Sequence, residues 1–488
     1  MNPLSALLDP CTEAETFTVF GLGWTGVAAC RLLTRLGKRV IATDTRDRET
    51  LQAALDKLHH GRGIALPRTV EVRAGEAHRD HGCDAVVLTQ SVKHHEAPVE
   101  AALRRGVEVI PEIDLAARAI NTDLLDLVCI GGTDGKTTTT KLAHHIVSHQ
   151  RRAYVGGNSW PPLSQALLEA ADDLSANPLP AGARAALIAE VSAFQLPPWH
   201  RLSPLSAAVT NVAEDHVDEY FQGSMDAYVA AKRGPTDHLG PGQSAALNID
   251  DPIVRTWQAG IEARGANVVR TTLAARAVGD HASAAYQHNG ELRLRWRGTE
   301  QGLISARDLP MVGDHNVENV LSAMGALLPL ELELAPATEA LRSFSAPGHR
   351  LEYVARIDGV DVYDDSKATN VHAALAGLAA FGGRPLVAIV GGVDKGLDLN
   401  QWVEALRART RAVIVIGELR ERLFRDHADH LPQASCADSL EEAVKMALDA
   451  SKTGDVLVLS PACSSFDMFS SYAQRGERFQ EIIKGKAG

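Results

Sequence analysis

The sequence lacks paired cysteines, a block of basic residues and any long apolar run. Its six cysteines are scattered, with no C-x-x-C pair, which argues against a zinc site or a disulfide framework and fits a reducing cytosol. The net charge is −12 and basic residues do not cluster, which argues against a nucleic-acid-binding surface. No stretch of about 18 apolar residues is present, so we expect no membrane insertion. The first residues show no signal-peptide pattern, and we expect a cytoplasmic protein.

Predicted strands and helices alternate along most of the 488 residues, of which 45% are hydrophobic. This length predicts about three domains. The alternation predicts an α/β fold with mostly parallel sheets. We place the domains at residues 1–121, 122–345 and 346–488. The first and last domains are expected to be Rossmann-like, and the central one to be a mostly parallel sheet of the phosphate-loop ATPase type.

The central motif is the glycine-rich stretch 131–138, with the sequence GGTDGKTT. It follows an apolar run that predicts a buried strand, and it precedes a predicted helix over 137–147. In such a unit, backbone N–H groups and the helix N-terminus hold a nucleotide phosphate. Lys136 is placed to reach the outer phosphates, and the Thr137 hydroxyl to bind Mg²⁺. Because Ile130 stands where the strict pattern has glycine, an ordinary glycine-rich turn between a strand and a helix is the alternative.

Acidic side chains and a histidine follow two further apolar runs. Glu190 closes the run 185–189, and the acidic segment 214–218, which contains His216, follows the run 206–212. The carboxyl ends of parallel strands meet at one edge of a sheet, where a phosphate loop needs ligands for Mg²⁺. An acid that ends an apolar strand needs a partner, which favours a functional Glu190. The alternative is a set of helix caps and solvated charges.

A second glycine pattern, G-x-G-x-x-G, is formed by Gly21, Gly23 and Gly26, and Asp44 ends the next predicted strand. Alone, this pattern invites the interpretation of a dinucleotide-dependent oxidoreductase. Tight packing of a helix on a strand produces the same pattern, so it is a weak indicator. Arg46 suggests a phosphate near the same edge, and we expect this domain to bind a nucleotide-like ligand.

The last third of the chain contains apolar runs that end in glycine or in Ser-Pro, at 386–390, 412–416 and 455–459. These runs predict a parallel sheet whose functional edge lies at the strand ends. The polar loop 365–370 follows a short predicted strand. Its simplest interpretation is a capped helix that starts at Asp365 or Ser366.

Several motifs in this order resemble those of the Mur ligases, the ATP-dependent amide ligases of peptidoglycan synthesis. The motifs are GTDGKTT at 132–138, GGN at 156–158, NVAEDHVD at 211–218, GDHNVEN at 313–319 and GHR at 348–350. Three others point within the family to the members that add D-glutamate: DSKATN at 365–370, SPACSSFD at 460–467 and QRG at 474–476. The resemblance extends over nearly the whole chain.

The resemblance implies roles in nucleotide and metal binding for individual residues. The ATP-binding residues would be Gly132, Thr133, Asp134, Gly135, Lys136, Thr137, Thr138, Asn316, Asn319, Arg350 and Asp365. The Mg²⁺ ligands would be Thr137, Glu190, His216 and Lys232, the last as a carbamylated lysine. Lys136, His216 and Lys232 would be the catalytic residues. For Lys232, the alternative is a solvated lysine on the surface of a helix.

The resemblance also implies residues that hold the two other substrates. The uridine diphosphate group would be held by Trp24, Thr25, Asp44, Thr45 and Arg46. Asn158 and His216 would face the acceptor. D-glutamate and the phosphorylated intermediate would be held by Lys367, Thr369, Lys395, Ser465 and Phe466. The G-x-G-x-x-G pattern would then serve a nucleotide sugar, without a nicotinamide.

The activity implied by the resemblance is that of an acid–D-amino-acid ligase. ATP would phosphorylate the L-alanine carboxylate of UDP-N-acetylmuramoyl-L-alanine, and the amine of D-glutamate would then attack the acyl phosphate. ATP and Mg²⁺ would be the cofactors, and we expect a monomer. Two alternatives remain open. One is a sister ligase, of the Mur or folylpolyglutamate type, that adds a different amino acid, and the other is the oxidoreductase.

Overall fold

The computed structural model of the protein describes residues 13–214, 217–345, 348–394, 396, 398–427 and 430–487, except for the side chains of 218, 219 and 487. The predicted site residues His216 and Lys395 lie outside these ranges. The chain forms two compact units, one from residues 1–307 and 318–342 and the other from residues 308–317 and 343–488. Among the helices described, none combines the length and apolar character that a membrane span requires.

The first sheet consists of five parallel strands, with helices in the connections. The strands are β1 (Thr16–Phe20), β2 (Arg39–Asp44), β3 (Glu71–Ala74), β4 (Ala85–Leu88) and β5 (Glu108–Pro111). The helices are α1 (Trp24–Arg35), α2 (Arg48–Arg62), α3 (Ala97–Arg104) and α4 (Glu112–Arg118). The strand order is β3-β2-β1-β4-β5, so the connections diverge between β1 and β4. In doubly wound sheets the ligand crevice lies at this divergence, at the carboxyl ends of the strands.

The second sheet has nine strands and carries the glycine-rich loop. Its strands are β6 (Leu125–Gly131), β7 (Ala153–Gly157), β8 (Ala185–Glu190), β9 (Ser206–Val209), β10 (Ser244–Asn248), β11 (Asn267–Thr272), β12 (Ala284–His288), β13 (Glu291–Trp296) and β14 (Thr299–Ser305). Their order is β14-β13-β12-β11-β10-β9-β6-β8-β7. Strand β13 is antiparallel to both of its neighbours, β12 and β14, and all the other pairs are parallel. Strand β6 lies inside the sheet and is buried along its whole length, which explains its nearly continuous apolar sequence.

The helices that accompany the second sheet are α5 (Lys136–Ser148), α6 (Leu163–Ala176), α7 (Val217–Phe221), α8 (Met225–Arg233), α9 (Gln258–Ala263), α10 (Asp314–Leu327) and α11 (Leu334–Ser343). Helix α6 packs against α1 and α4 of the first sheet. Buried side chains of both sheets, such as Phe17 and Leu187, belong to one hydrophobic core. Both sheets therefore lie in the first compact unit. The predicted boundary at residue 121 falls between α4 and β6, and the division into three domains stays a prediction.

The third sheet forms the second compact unit. Its strands are β15 (Glu352–Ile357), β16 (Val360–Asp364), β17 (Leu386–Gly391), β18 (Thr410–Ile416), β19 (Ala434–Cys436) and β20 (Val456–Leu459). Its helices are α12 (Val371–Ala379), α13 (Asn400–Arg409), α14 (Leu419–His427), α15 (Leu440–Ala450) and α16 (Tyr472–Ala487). The order is β15-β16-β20-β17-β18-β19, and only β15 runs antiparallel to its neighbour. Two hydrophobic clusters contain the buried side chains of this unit.

The three sheets confirm the predicted α/β fold with mostly parallel strands. One local prediction is wrong. Asp365 and Ser366 do not start a helix, because α12 begins only at Val371 and is capped by the Asn370 side chain, which accepts a 2.8 Å hydrogen bond from the Ala373 amide. The last residue of loop 365–370 is therefore the helix cap, whereas Asp365 and Ser366 lie at the end of β16.

Candidate active site

The glycine-rich loop connects β6 to α5, as the sequence predicts. Gly132 and Gly135 have φ angles of +127° and +80°, which side-chain-bearing residues rarely adopt. A Cβ atom at Gly132 would lie 2.0 Å from the Thr210 Oγ1 atom, and one at Gly135 would lie 2.1 Å from the Asn319 Oδ1 atom. Both positions therefore require glycine. Helix α5 begins at Lys136, so its N-terminus lies at the loop, where backbone N–H groups and the helix dipole favour an anion.

The segment after β9 holds the glycine-rich loop in place. The Thr133 amide donates to the Asn211 carbonyl oxygen, and the Asp134 amide donates to the Asn211 side-chain oxygen, each over 2.9 Å. The Thr210 hydroxyl donates to the Asp134 carbonyl oxygen over 2.6 Å. These contacts hold the loop backbone in place. The side chains that make them, those of Thr210 and Asn211, are not among the predicted nucleotide-binding residues. Sequence reasoning gave Thr210 and Asn211 no role, although Asn211 begins one of the family-like motifs.

The predicted nucleotide-binding side chains of the loop lie at its mouth and on the first turn of α5. The Lys136 ammonium donates a 2.7 Å hydrogen bond to the Thr133 carbonyl oxygen, which places the cation on the loop itself. Thr137 is half-buried. The Thr138 hydroxyl is buried and has no hydrogen-bond partner among the described residues. The Asn319 side-chain oxygen accepts from a hydroxyl on α5, that of Thr139, over 3.3 Å.

Glu190 ends β8, the strand beside β6, and its side chain is 1% exposed. Its Oε1 atom accepts hydrogen bonds from the Asn158 amide nitrogen at 3.2 Å and from the Ser159 hydroxyl at 2.7 Å. Its Oε2 atom is buried and has no hydrogen-bond partner in the described part of the chain. A buried carboxylate oxygen without a partner is costly in the absence of a cation. This arrangement is a ligand position suited to a hard divalent ion.

Lys232 lies on α8 and is buried, with 6% of its surface exposed. Its ammonium group donates a 2.6 Å hydrogen bond to the Gly132 carbonyl oxygen. The interpretation of Lys232 as a solvated surface lysine is therefore wrong. One turn earlier on α8, the Tyr228 hydroxyl lies 3.0 Å from the Thr133 hydroxyl. Sequence reasoning missed Tyr228, although its spacing of four residues from Lys232 places both on one face of the helix.

The carboxyl edge of the first sheet is organised around Asp44, which is buried. The Leu22 amide donates to one carboxylate oxygen over 2.8 Å, and the Arg46 guanidinium contacts both oxygens at 2.8 and 2.7 Å. Burial alone would raise the pKa of Asp44, but the hydrogen bonds from Arg46 and from the backbone outweigh it and lower the pKa to about 2. Gly26 is needed because a Cβ there would lie 1.9 Å from the Gly21 carbonyl oxygen. The G-x-G-x-x-G turn and Asp44 therefore form one local unit.

The other residues predicted to hold uridine diphosphate lie at the start of α1 and directly after β2. The Trp24 ring is covered by the guanidinium group of Arg62, which lies 3.6 Å from the ring centroid. Thr25 is half-buried and Thr45 is exposed. Their assignment to the uridine diphosphate site stays a prediction.

In the second compact unit, Asp365 follows β16 and is buried. Its Oδ2 atom accepts a 2.8 Å hydrogen bond from the Ser460 hydroxyl. Burial is the main cause that raises the pKa of Asp365 to about 7, against the attraction of the nearby Arg350 cation. The Nε atom of Arg350 is buried and has no hydrogen-bond partner among the described residues. The amide nitrogen of Asn316, also in this unit, donates to a backbone carbonyl oxygen over 2.8 Å.

The residues predicted to bind D-glutamate lie in two loops of this unit. The Lys367 ammonium lies 5.0 Å from the centroid of the Tyr472 ring, and Thr369 is half-buried. Ser465 is buried, and its hydroxyl has no hydrogen-bond partner in the described ranges. The Phe466 ring is 74% exposed. Tyr472, which sequence reasoning missed, is therefore the aromatic side chain that contacts Lys367.

Models of known families match two segments of the chain. The Mur ligase middle domain matches residues 130–327, and the Mur ligase glutamate ligase domain matches residues 349–463. Two similar relatives are UDP-N-acetylmuramoylalanine–D-glutamate ligases. The one from Geobacter metallireducens is 36% identical over 96% of this chain and 97% of its own length. The one from Trichlorobacter lovleyi is 36% identical over 96% of this chain and 98% of its own length.

Solved structures show the same fold at lower sequence identity. The MurF ligase from Thermotoga maritima, solved in complex with ADP, matches with a TM-score of 0.57 and 15% identity, over 98% of this chain and 99% of its own. A pseudomurein peptide ligase type C from Methanothermus fervidus matches with a TM-score of 0.55 and 16% identity, over 96% and 99% of the two chains. With the two family models and relatives that match along nearly its full length, the chain belongs to the Mur ligase family.

Proposed function

We propose that the protein joins D-glutamate to UDP-N-acetylmuramoyl-L-alanine at the expense of ATP, in the synthesis of a peptidoglycan precursor. The observation that carries this proposal is the match to D-glutamate ligases over 96% of the chain. A loop between β6 and α5 with two glycines at positive φ supports it. Such an acid–D-amino-acid ligase acts in the cytoplasm, where its nucleotide substrates are. Through the cell wall it contributes to cell shape and division. We propose that it acts as a monomer with three domains divided near residues 121 and 345.

The first chemical requirement is activation of a carboxylate, which at neutral pH has no leaving group that an amine can displace. Phosphoryl transfer from ATP to the L-alanine carboxylate creates an acyl phosphate. The amide groups of loop 132–138 and the Lys136 ammonium, which lie at the N-terminus of α5, would stabilise the charge on the transferring phosphoryl group. The D-glutamate amine then attacks the acyl carbon, and phosphate leaves.

Mg²⁺ fits the residues present near the loop. Glu190 offers a buried carboxylate oxygen without a partner, and Thr137 offers a hydroxyl on the first turn of α5. When bound, the ion neutralises phosphate charge during transfer. We propose His216, which lies outside the described residues, as a further ligand. Lys232, buried beside the loop, would be a ligand in carbamylated form, because a free ammonium would repel the ion.

We assign the remaining substrate groups to sites according to the side chains found at the strand ends of the first and third sheets. Uridine diphosphate is placed at the carboxyl edge of the first sheet, near Arg46, and D-glutamate in the second unit near Lys367 and Ser465. Arg350 and Asp365 are assigned to the nucleotide. Lys367 supplies a cation, and Ser465 a buried hydroxyl with no partner among the described residues, for a substrate with two carboxylates.

The deciding experiment measures phosphate release from ATP with UDP-N-acetylmuramoyl-L-alanine and one amino acid at a time. We expect release with D-glutamate and little with L-glutamate, L-alanine or a diamino acid. Release with another amino acid alone would assign the protein to a sister ligase. Release with glutamate only when a folate replaces the UDP-sugar would indicate a folylpolyglutamate-type ligase. Oxidation of NAD(P)H without dependence on ATP would contradict the ligase altogether.

A further inference from the structure

Arg475, in the first turn of α16, is among the largest side chains that are fully buried, with 1% of its surface exposed. Its Nε atom donates to the Ser366 hydroxyl over 2.9 Å. Its Nη2 atom donates to the Ser366 carbonyl oxygen at 2.9 Å and to the Cys463 carbonyl oxygen at 3.0 Å. A longer contact of 3.4 Å joins Nη1 to the Gly391 carbonyl oxygen. All its acceptors are uncharged.

These acceptors belong to three loops that follow three adjacent strands. Ser366 follows β16, Cys463 follows β20, and Gly391 ends β17. In the sheet, β20 lies between β16 and β17 and is parallel to both, so the three loops lie at one edge. One guanidinium group therefore links the carboxyl ends of three neighbouring strands. Each loop carries, or leads into, a residue assigned above to D-glutamate: Lys367 and Thr369, Ser465, and Lys395.

The neighbours of Arg475 in the QRG triplet keep it in this position. The Gln474 side-chain oxygen accepts hydrogen bonds from the Ser470 amide at 2.7 Å and hydroxyl at 2.9 Å, which fixes the turn before α16. Gly476 lies against His349, because a Cβ there would be 2.1 Å from the His349 Nδ1 atom. Each residue of the triplet therefore has a structural role. Gln474 fixes the turn before α16, Arg475 links the three loops, and Gly476 lets the helix lie close to His349.

The charge of Arg475 is not neutralised by an ion pair. Within the described part of the chain, no carboxylate is close enough to form one with its guanidinium group. Burial is the main cause that lowers the pKa of Arg475 to about 10, yet the group stays cationic at neutral pH. A buried cation costs free energy that a neutral donor would avoid. The carboxylates of Asp364, Asp365 and Asp467 attract this cation without forming an ion pair with it, so Arg475 offsets negative charge at this edge of the sheet.

We propose that Arg475 is a positioning residue for the amino-acid substrate. It holds the three loops in the arrangement that lets Lys367, Thr369 and Ser465 act together. Its charge offsets that of Asp364, Asp365 and Asp467, which would otherwise repel a dicarboxylate at this edge. This inference rests on the proposed function, because it takes D-glutamate as the ligand of these loops.

The test compares KM values for D-glutamate, ATP and the UDP-sugar in wild type, Arg475→Lys and Arg475→Gln. Lysine keeps the charge but cannot reach all three loops, and glutamine loses the charge as well. We expect KM for D-glutamate to rise about tenfold or more in Arg475→Lys and further in Arg475→Gln, since each loses hydrogen bonds of a charged donor. KM for the UDP-sugar should change by less than about twofold, because its assigned site lies at the first sheet. KM for ATP should rise much less than KM for D-glutamate, because the phosphate loop lies in the second sheet, although Asp365, which is assigned to the nucleotide, is next to Ser366. Arg478→Lys is the matched control, because Arg478 lies one turn later on α16 and its partners in the described ranges are Glu441 and Glu481 at the surface.

Ser366→Ala is the second variant, in case the arginine substitutions impair folding. It keeps Arg475 and removes the hydroxyl that accepts from Nε and donates to the Tyr472 carbonyl oxygen over 2.8 Å. We expect a smaller rise in KM for the same substrate, because the contacts of Arg475 with the three backbone carbonyl oxygens remain. An unchanged KM for D-glutamate in folded Arg475→Lys, or equal increases for D-glutamate and ATP, would overturn the inference. The wild type separates the two proposals. If it does not respond to D-glutamate, the proposed function fails, and the same variants are then compared with the amino acid that it does use.

Discussion

The ammonium group of Lys232 donates a 2.6 Å hydrogen bond to the carbonyl oxygen of Gly132, the glycine with a φ of +127° that opens the phosphate loop. This contact joins α8 to the loop across 100 residues of sequence. The contact means that two different roles for Lys232 have to be distinguished. The side chain could serve as a hydrogen-bond donor that supports the loop, or as a carbamate that binds a cation, and substitutions distinguish the two.

We predict that Lys232→Ala is nearly inactive and that a small soluble carboxylate restores part of its activity by filling the vacated space. Lys232→Arg should stay inactive. An arginine keeps a donor and a positive charge, so it would preserve structural support, but it cannot carry a carbamate. The measurement is phosphate release from ATP. Arg233→Ala is the control, because the Arg233–Asp237 pair is partly exposed and contributes little. A fully active Lys232→Arg variant would contradict the carbamate and leave the donor role.

Lys136→Ala should abolish ligation and leave the fold intact. Its ammonium group donates to the backbone of its own loop, and we assign the side chain to the ATP phosphates. A loss of about a hundredfold or more in kcat is expected for a cation that stabilises transferring charge. Lys141→Ala, on the same helix, provides the comparison, and circular dichroism checks the fold. Near-normal ligation by Lys136→Ala would show that the ATP loop is wrongly assigned.

Glu190→Gln should raise the Mg²⁺ concentration needed for half-maximal activity by about tenfold or more. The amide oxygen can still accept from Asn158 and Ser159, whereas the negative charge offered by the unpartnered Oε2 atom is lost. Titration of activity with Mg²⁺ measures this change. Glu169→Gln on α6 is the matched control, because Glu169 is exposed. The same Mg²⁺ dependence in Glu190→Gln and wild type would remove Glu190 from the metal site.

Lys367→Ala should raise KM for D-glutamate much more than KM for ATP. A substrate carboxylate that binds in a dry site needs a cation, and an unpaired one costs several kcal/mol. Steady-state kinetics with each substrate varied in turn measures both constants. Lys452→Ala is the control in the same unit, because Lys452 is exposed. If both constants rise by the same factor, Lys367 does not select the amino acid.

The sequence predicted the parts of the site that are local. The strand, loop and helix around Lys136 follow from an apolar run, two glycines and a helical pattern, and Glu190 follows from its position at a strand end. Tyr228 and Arg475 could not be found in this way. Their contacts join residues 95 and 109 positions apart, and which loops meet is decided only when the sheets form.

The aromatic residue beside Lys367 could not be predicted from the sequence either. Phe466, within the SPACSSFD motif, is the aromatic residue that the resemblance assigns to D-glutamate or the intermediate, and its ring is 74% exposed. Tyr472 begins α16, and the orientation of that helix brings its ring to 5.0 Å from the Lys367 ammonium. A motif identifies the segment that reaches the site, whereas the start of the helix decides which ring faces the lysine.

Glu112 lies between the first and second sheets, at the start of α4, and is 3% exposed. Its carboxylate accepts a 2.7 Å hydrogen bond from the Ser164 amide. Burial is the main cause that raises its pKa from 4.5 to about 7, and the hydrogen bond from Ser164 lowers it by less. Between these two values the folded protein binds a proton that the unfolded chain has lost. The free energy of unfolding should therefore fall as the pH rises from about 4.5 to about 7, and this contribution should be constant outside that range.

We predict that Glu112→Gln removes this part of the pH dependence, because an amide has nearly the same shape and no carboxyl proton. The full contribution is about 3 kcal/mol, from about 1.4 kcal/mol for each unit of pKa. At about pH 8 the variant should be more stable than wild type, and the two should become nearly equal below about pH 4. Urea unfolding followed by tryptophan fluorescence measures this difference. Glu100→Gln on α3, where the side chain is about half exposed, should follow wild type throughout. If Glu112→Gln has the same pH dependence as wild type, then Glu112 is ionised in the folded protein and its contact with Ser164 compensates for burial.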